Sequence, residues 1–372
     1  MTIEGELFLH LAWDGARVRH ARARCERPRA ARLLPGRRAE EATTLIGQLY
    51  TLCGRAQTVA AAEALRAARN ADESFANEAA TAVLAETVHE HLWRLLIDWP
   101  KHRGGEPRVA VIARARQALA PFLNGDPQGN PASTAAELAA LAADEVFAVE
   151  PSVWLALDDL AALAAWAREA GTPAASLLRA WLARKPASDH AAVALLPPRV
   201  DERMLAELNT ALDRDPDFER TPHWRGEARE TGVLARSARR PLVAACLAAW
   251  GCGVAARFVA RLVDLGDALE ALAGRREAPR RLGRCALGAG EGLAWVESAR
   301  GLLVHRLRLA GDRIDDYRIV APTEWNFHPA GAFVQGALAI AAETPRQLAE
   351  GAHQLAFSLD PCVAYRLEIG NA

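Results

Sequence analysis

Apolar and polar residues alternate at the start of the chain and then recur at helical spacing. Residues 6–11 (ELFLHL) change polarity at almost every position, and Asp14-Gly15 follows shortly after them. Alternation that ends in an Asp-Gly turn predicts a β-hairpin over residues 3–24. From about Glu40 to Trp99, apolar side chains recur every three or four positions, which predicts helices.

The middle of the chain continues as helix, and strands return near its end. Residues 110–195 are rich in alanine and leucine, and the helical pattern resumes from Pro241 to about Ala273. Two apolar runs, 302–307 and 317–320, flank a Gly-Asp turn and predict paired strands. A final helix is expected from about Phe333 to Ala352.

Strands on both sides of a helical middle predict an α+β fold that is predominantly α-helical, with small β elements near both termini. The 372 residues contain no internal repeat. We therefore expect a single domain over residues 1–372. It would consist of a β-hairpin region at 1–38, a helical core at 39–285 and a mixed β/α region at 286–372.

Charge and hydropathy exclude several classes of partner. The formal net charge is -1, so nothing favours nucleic acid or an anionic membrane surface. No apolar run approaches the roughly 18 residues of a membrane span. The N-terminus has acidic residues where a signal peptide has a basic start. We expect a cytoplasmic protein that binds neither nucleic acid nor membrane.

The cysteines do not form a familiar redox or zinc motif. The chain has six cysteines, widely scattered, and no CxxC pair. This pattern favours reduced thiols over a disulfide framework. The chain also has no G-x-G-x-x-G or Walker-type phosphate loop and no HExxH sequence. Nothing here predicts an enzyme of a common class.

Two cysteine-containing segments carry a family resemblance. Residues 51–57 (TLCGRAQ) resemble the CGxC motif of nickel–iron hydrogenase large subunits, and residues 358–365 (SLDPCVAY) resemble their DPCxxC motif. Soft thiolates suit nickel and low-spin iron. Further similar segments follow in the family's order, at residues 3–7, 33–37, 86–92, 224–236, 297–301 and 321–326. The resemblance implies a large-subunit-like helical core.

The resemblance also implies that much of the hydrogenase centre has been lost. Cys53 and Cys362 match the cysteines that bind nickel terminally, while Ala56 and Tyr365 stand where the family has bridging cysteines. Alanine cannot bind a metal, and a tyrosine oxygen is a poor bridge between soft metals. We therefore expect no hydrogen turnover and no resident nickel.

Other positions of the resemblance concern magnesium and proton transfer. Ala31 and Glu368 match the family's magnesium-site glutamate and C-terminal histidine, so no magnesium is expected. Glu4 matches a glutamate that relays protons, and either a structural or a functional role remains open for it. His91 is interpreted as a packed helix residue, and Cys25 and Cys285 have no partner motif.

The iron side of the centre is better preserved. Arg300 and the pair Pro322-Thr323 match positions beside the cyanide ligands in the family. A cyanide on iron accepts hydrogen bonds, and a guanidinium or a hydroxyl can donate them. Without the resemblance, Arg300 would be interpreted as an ordinary surface ion pair.

This combination resembles the hydrogenase expression/formation proteins of the HupK/HoxV type. The resemblance implies a non-catalytic scaffold that transiently holds iron with cyanide and carbonyl ligands, through Cys53 and Cys362. It would pass this fragment to the apo large subunit and would contact other hydrogenase maturation proteins. The alternative is a metal-free chaperone of the large subunit. A divergent redox subunit and a quinone-binding relative of respiratory complexes are weaker alternatives.

Overall fold

The described part of the chain is built mainly from helices. The computed structural model describes residues 5–50, 52–71, 77–124, 131–183, 193–277 and 279–372. Two π-helical turns, Arg94–Asp98 and Ala143–Phe147, accompany the α-helices. In chain order, the α-helices are α1 (Ala39–Leu49), α2 (Gly54–Ala68), α3 (Asn77–Trp93), α4 (Trp99–His102), α5 (Val109–Asn124), α6 (Pro131–Ala142), α7 (Pro151–Trp154), α8 (Leu160–Glu169), α9 (Pro173–Leu182), α10 (Glu202–Arg214), α11 (Val233–Ser237), α12 (Pro241–Trp250), α13 (Val254–Leu272), α14 (Pro322–Asn326), α15 (Ala332–Leu338) and α16 (Pro345–Leu359).

The strands form two sheets among the described residues. They are β1 (Glu6–Trp13), β2 (Val18–Glu26), β3 (Leu282–Gly288), β4 (Glu291–Ser298), β5 (Gly301–Ala310), β6 (Arg313–Val320) and β7 (Ala364–Asn371). The first sheet has the order β2-β1-β7, with β1 antiparallel to β2 and parallel to β7. This sheet therefore joins the beginning and the end of the chain. The confirmed hairpin at its start has Leu7, Leu9 and Leu11 on its buried face.

The second sheet is an antiparallel meander in the order β3-β4-β5-β6, and it packs against α2. The contact is close. A Cβ atom at Gly292 would lie 2.1 Å from the Ala64 carbonyl oxygen and 2.4 Å from the Ala68 nitrogen. Glycine at position 292 of β4 is therefore required for this approach, because the atoms it meets belong to the backbone of α2. The approach fixes the position of α2, whose first residue follows Cys53.

Helix α13 is the centre of the helical core. It is buried on nearly all sides, as expected of a long helix without a continuous polar face. It packs against α3, α11 and α12. Arg261 on α13 binds Asp360, and Glu90 on α3 binds Arg300. The packing of these two helices therefore also sets the geometry of the candidate site.

Buried charges connect these two helices. Asp264 on α13 accepts hydrogen bonds from Arg236, at 2.9 and 2.7 Å, and from Arg281, at 2.7 Å. His91 on α3 lies 2.8 Å from Asp264 through Nε2, and its Nδ1 lies 3.1 Å from Arg261 Nη1. Because arginine can only donate, Nδ1 accepts and Nε2 donates. Burial lowers the pKa of His91 to about 4, so the ring is neutral at pH 7.

Three boundaries differ from the sequence prediction. The final helix is two helices, α15 and α16, because Thr344 caps a new helix that Pro345 begins. The helical pattern from Glu40 to Trp99 is interrupted before α2, where Cys53 adopts a non-helical conformation. The helical core was expected to extend to residue 285, but its last helix ends at Leu272 and β3 begins at Leu282. The α+β prediction itself is confirmed. Among the described residues, no helix has the length and apolar character needed to cross a bilayer.

Replacing Asp264 with asparagine should destabilise the fold by at least about 3 kcal/mol, because buried guanidinium groups lose their counter-charge. Although burial alone would raise it, the charges of Arg236 and Arg281 hold the pKa of Asp264 well below its usual range. Its contribution is therefore present above the unfolded carboxyl pKa of 3.8 and is lost as pH falls. Urea unfolding at several pH values measures this effect. As the pH falls, the free energy of unfolding should decrease less in the variant than in the wild type.

The control is Asp312→Asn. Asp312 pairs with Arg38 at 3.7 Å, and both side chains are 59% exposed. This change should alter the free energy of unfolding by less than about 1 kcal/mol. Equal destabilisation by the two variants would show that the buried network does not hold the helices together.

Candidate functional site

The two cysteines of the matched motifs lie at the starts of two regular elements. Cys53 occupies the residue before α2, and Cys362 lies between α16 and β7. Asp360 ends α16 in the left-handed conformation, with φ of 56°. This turn brings Cys362 back toward α2. Cys362 is 8% exposed, whereas Cys53 is only partly buried.

The two thiols are close enough to influence each other. Desolvation raises the pKa of Cys53 to about 12, and the negative charges of Cys362 and Glu86 add to the effect. The nearby Arg300 and Arg27 oppose it. The fold therefore brings together the two cysteines that lie more than 300 positions apart in the chain.

The Cys362 sulfur is surrounded by hydrogen-bond donors. Arg27 Nη2 donates to Cys362 Sγ at 3.0 Å. Thr323 Oγ1 lies 2.9 Å from the same sulfur and accepts the Cys362 backbone N–H at 3.2 Å. Since that backbone bond leaves the hydroxyl hydrogen free, Thr323 can donate to a thiolate. A guanidinium and a hydroxyl therefore both lie within hydrogen-bond distance of the Cys362 sulfur.

Arg300 lies on the Cys53 side of the site and is 5% exposed. Its Nη2 donates to Glu90 Oε2 at 2.6 Å, and its Nη1 donates to the Leu52 carbonyl at 3.4 Å. Its Nε is buried and makes no hydrogen bond within the described part of the chain, although it lies 3.5 Å from Asp360 Oδ1. Arg300 is thus a buried cation with one unused donor.

Asp360 fixes the turn that carries Cys362. Its carboxylate accepts hydrogen bonds from Arg94 and, at 2.8 Å, from Arg261. Burial would raise its pKa, but the charges of Arg94 and Arg300 hold the pKa well below the usual range. The left-handed Asp360 turn is therefore anchored to α13, to the π-helical turn after α3, and to the β4–β5 hairpin.

A third thiol lies near the site on the side of the first hairpin. Cys25 Sγ is 3.9 Å from Glu324 Oε1, which is 3.6 Å from Arg27 Nη1. The Arg27 guanidinium also lies over the Tyr50 ring, 5.5 Å from its centre. Burial raises the pKa of the Cys25 thiol well above its usual range. Across the described ranges, no three His, Cys, Asp or Glu side chains form a metal-binding group.

Glu86 caps the helix that follows Cys53. Its two carboxylate oxygens accept the backbone N–H groups of Arg55 and Ala56, at 2.8 and 2.9 Å. Burial raises the pKa of Glu86 to about 7, and these two hydrogen bonds oppose the rise. Ala56, at the position of a family bridging cysteine, is thus buried and contributes only its backbone.

The remaining predicted residues have different outcomes. Pro322 begins α14 and is buried, so it helps to position Thr323. Glu368 is exposed on β7, opposite His10, and does not join the buried cysteines. The Tyr365 hydroxyl lies 2.9 Å from His353 Nδ1. Glu4 lies outside the described residues, so its role stays open.

Some residues of this site were missed by the sequence interpretation. Arg27 lies among many basic residues after the hairpin and carries no distinguishing signal. Cys25 was set aside because no second cysteine stands near it in the sequence. Glu86 and Glu90, however, lie four positions apart on a helix and so share a face. That spacing could have marked them as a pair.

Known proteins match most of this chain. The chain is 33% identical to the hydrogenase expression/formation protein HoxV of Cupriavidus necator, with coverage of 93% of this chain and 92% of the relative. It is 32% identical to the hydrogenase expression/formation protein HupK of Rhizobium leguminosarum bv. viciae, with coverage of 94% and 92%. The chain belongs to the HoxV/HupK family of hydrogenase expression/formation proteins.

Hydrogenase large subunits share the fold of this HoxV/HupK family member. Residues 228–365 match the nickel-dependent hydrogenase family. The nickel–iron–selenium hydrogenase of D. vulgaris Hildenborough in the reduced state superposes with a TM-score of 0.60 at 15% identity. The match covers 97% of this chain and 96% of the hydrogenase chain. The large-subunit-like fold expected from the sequence is thereby confirmed.

The raised pKa of Cys53 should be visible in its reaction with iodoacetamide, which requires the thiolate. Between pH 7 and 10 its modification rate should rise about tenfold per pH unit, because the pKa of about 12 lies above this range. Peptide mass spectrometry measures the rate, with glutathione as the reference thiol. A plateau for Cys53 below pH 10 would contradict the assignment.

Proposed function

We propose that this protein is a non-catalytic scaffold in nickel–iron hydrogenase maturation. It transiently holds an iron fragment with two cyanides and one carbonyl, Fe(CN)2CO, between Cys53 and Cys362. It then passes the fragment to the apo large subunit. Its membership of the expression/formation family supports a maturation role. The iron fragment is a cargo, and the protein acts in the cytoplasm with other maturation proteins.

The observation that carries the proposal is the convergence of two thiols and hydrogen-bond donors. Iron with cyanide and carbonyl ligands is a soft metal centre, for which thiolates are suitable ligands. Each thiol would lose a proton as its sulfur–iron bond forms. Arg27 and Thr323 contact the Cys362 sulfur, at 3.0 and 2.9 Å, and would stabilise the resulting charge.

Arg300 supports the recognition of the cyanides. A metal-bound cyanide accepts hydrogen bonds at nitrogen. Among the described residues, the buried Nε of Arg300 has no hydrogen-bond partner, although Asp360 Oδ1 lies 3.5 Å away. A buried unsatisfied donor costs about 1–3 kcal/mol unless a ligand satisfies it. Thr323 is the second candidate donor, because its hydroxyl lies beside Cys362 and its single hydrogen can be donated either to the sulfur or to a cyanide. Pro322 holds Thr323 in place at the start of α14.

The positions of the lost ligands support a role without catalysis. Ala56 offers no side-chain ligand, and the Tyr365 hydroxyl contacts His353. Only two of the four family cysteines remain to bind a metal. Glu368, at the family's histidine position, is exposed. We therefore expect neither resident nickel nor magnesium, and no hydrogen turnover.

Infrared spectroscopy tests the scaffold directly. Protein purified without oxygen from cells that express the maturation machinery should show cyanide and carbonyl stretching bands. These bands should be lost in Cys53→Ser and in Cys362→Ser, because serine replaces a soft ligand with a hard one. Cys285→Ser is the matched control, since Cys285 lies on β3, and it should keep the bands.

The same experiment distinguishes the metal-free chaperone. A wild-type protein that has neither bands nor iron, yet copurifies with the apo large subunit, would replace the scaffold proposal with the chaperone. Bands that survive in both cysteine variants would also contradict the proposed ligands.

Conservative changes in the donor groups should alter the cyanide bands without removing them. Arg300→Lys keeps the charge but loses the guanidinium geometry, and Thr323→Val loses the hydroxyl at nearly constant volume. Each should shift the cyanide bands, because hydrogen bonds act on the cyanide nitrogens. Arg306→Lys is the control, since Arg306 is a largely buried arginine that binds Asp213 and Asp316. Unchanged bands in both test variants would remove these residues from the site.

A further inference from the structure

A large cleft opens beside Cys53. It has a volume of about 750 Å³ and lies between α1, α2, α3 and α5. Its walls carry both charges, such as Glu86 and Arg94, and its lining includes Leu52 and Trp93. These two apolar side chains are 46% and 43% exposed. A cavity of this size is in the usual range for small-molecule sites.

The cleft reaches the cysteine site from one side. Both sequence neighbours of Cys53, Leu52 and Gly54, line it. Arg300 lines it too, and its Nη1 donates to the Leu52 carbonyl. Cys53 keeps partial exposure, whereas Cys362 is 8% exposed and its sulfur contacts Arg27 and Thr323. A molecule in the cleft therefore meets Arg300 and the two neighbours of Cys53, whereas Cys362 and its neighbours in the chain do not line the cleft.

The opposite side of the site has little room. A pocket of about 50 Å³ lies there, lined by Cys25, Arg27, Tyr50 and Glu324. A space of that size holds only a few water molecules. The proposed cargo, Fe(CN)2CO, has seven heavy atoms and does not fit through it. The 750 Å³ cleft accommodates the same cargo with space to spare.

We propose that this cleft is the route by which the iron fragment reaches and leaves the two cysteines. The proposal rests on the proposed function and specifies the side from which the cargo approaches the two cysteines. Cys53 and Arg300 contact the arriving cargo first, and Cys362 binds second, from the inner side. The arginines that line the cleft, among them Arg94 and Arg116, can donate hydrogen bonds to the cyanides of the cargo.

A tryptophan on the far wall should obstruct the route without touching either cysteine. Ala120 on α5 lines the cleft and is partly buried, so Ala120→Trp projects an indole into it. Ala113→Trp is the matched control. Ala113 lies on the same helix, is exposed and is not part of the cleft lining. Thermal unfolding should show that both variants fold as the wild type does.

The first readout needs no iron. At a constant pH, iodoacetamide should modify Cys53 several-fold more slowly in Ala120→Trp than in wild type or in Ala113→Trp. Cys285, a partly exposed thiol on β3 that lines neither pocket, is the internal reference and should react equally in all three. An unchanged Cys53 rate in Ala120→Trp would overturn the proposed route.

The second readout is the intensity of the cyanide and carbonyl bands in protein from cells with the maturation machinery. Ala120→Trp should reduce it several-fold, and Ala113→Trp should not. Normal bands together with slow Cys53 modification would also overturn the route for the cargo. If wild type has no bands but Cys53 modification is still slowed, the scaffold function fails while the cleft remains the path to Cys53.

Discussion

The geometry of the site depends on the buried carboxylate of Asp360. This residue adopts a left-handed conformation immediately before Pro361-Cys362, and so it determines the direction in which Cys362 points. Its charge is balanced by Arg94, Arg261 and Arg300, which come from separate parts of the fold. A buried charge that lost these partners would be costly. The turn is therefore only stable once the helical core and the second sheet are in place.

The same carboxylate links the site to the interior of the protein. Arg261 contacts both Asp360 and His91, and His91 contacts Asp264. The network alternates cations, a neutral imidazole and carboxylates. Arg261 and Asp264 lie on α13 and His91 lies on α3, so Asp360 is tied to two helices of the core. Such a network fixes the positions of its members relative to one another, because no member can move without leaving a buried polar group unsatisfied. The site is thus held by the core on one side and open to the cleft on the other.

The two cysteines have unlike surroundings. Cys362 is contacted by Arg27 and Thr323, whereas among the described residues the Cys53 sulfur accepts only a weak hydrogen bond from Gln57 Nε2, at 3.8 Å. Cys53 lies toward the cleft, and Cys362 lies on the inner side. A carrier must both retain and release its cargo. The Cys362 sulfur, with two hydrogen-bonding neighbours, is suited to retain the cargo, and the Cys53 sulfur, with one weak contact, is suited to release it.

The sequence by itself determined the fold class and the family, and it singled out Cys53 and Cys362 as the candidate metal ligands. Hydrophobic periodicity reports local structure, and the motif residues Cys53, Cys362, Arg300 and Thr323 are conspicuous within short segments. The predicted final helix was wrong at Thr344. There a capping side chain and the proline that follows start a new helix, although the apolar pattern continues through this point.

Only the tertiary structure brought Arg27 and Glu90 to the site and placed Glu368 on the surface. These outcomes depend on contacts between residues far apart in the chain, such as the parallel pairing of β1 with β7. A lone arginine in a basic segment has the same local signature whether it is exposed or contacts a buried sulfur. The difference arises from burial and counter-charge, which exist only once the chain has folded.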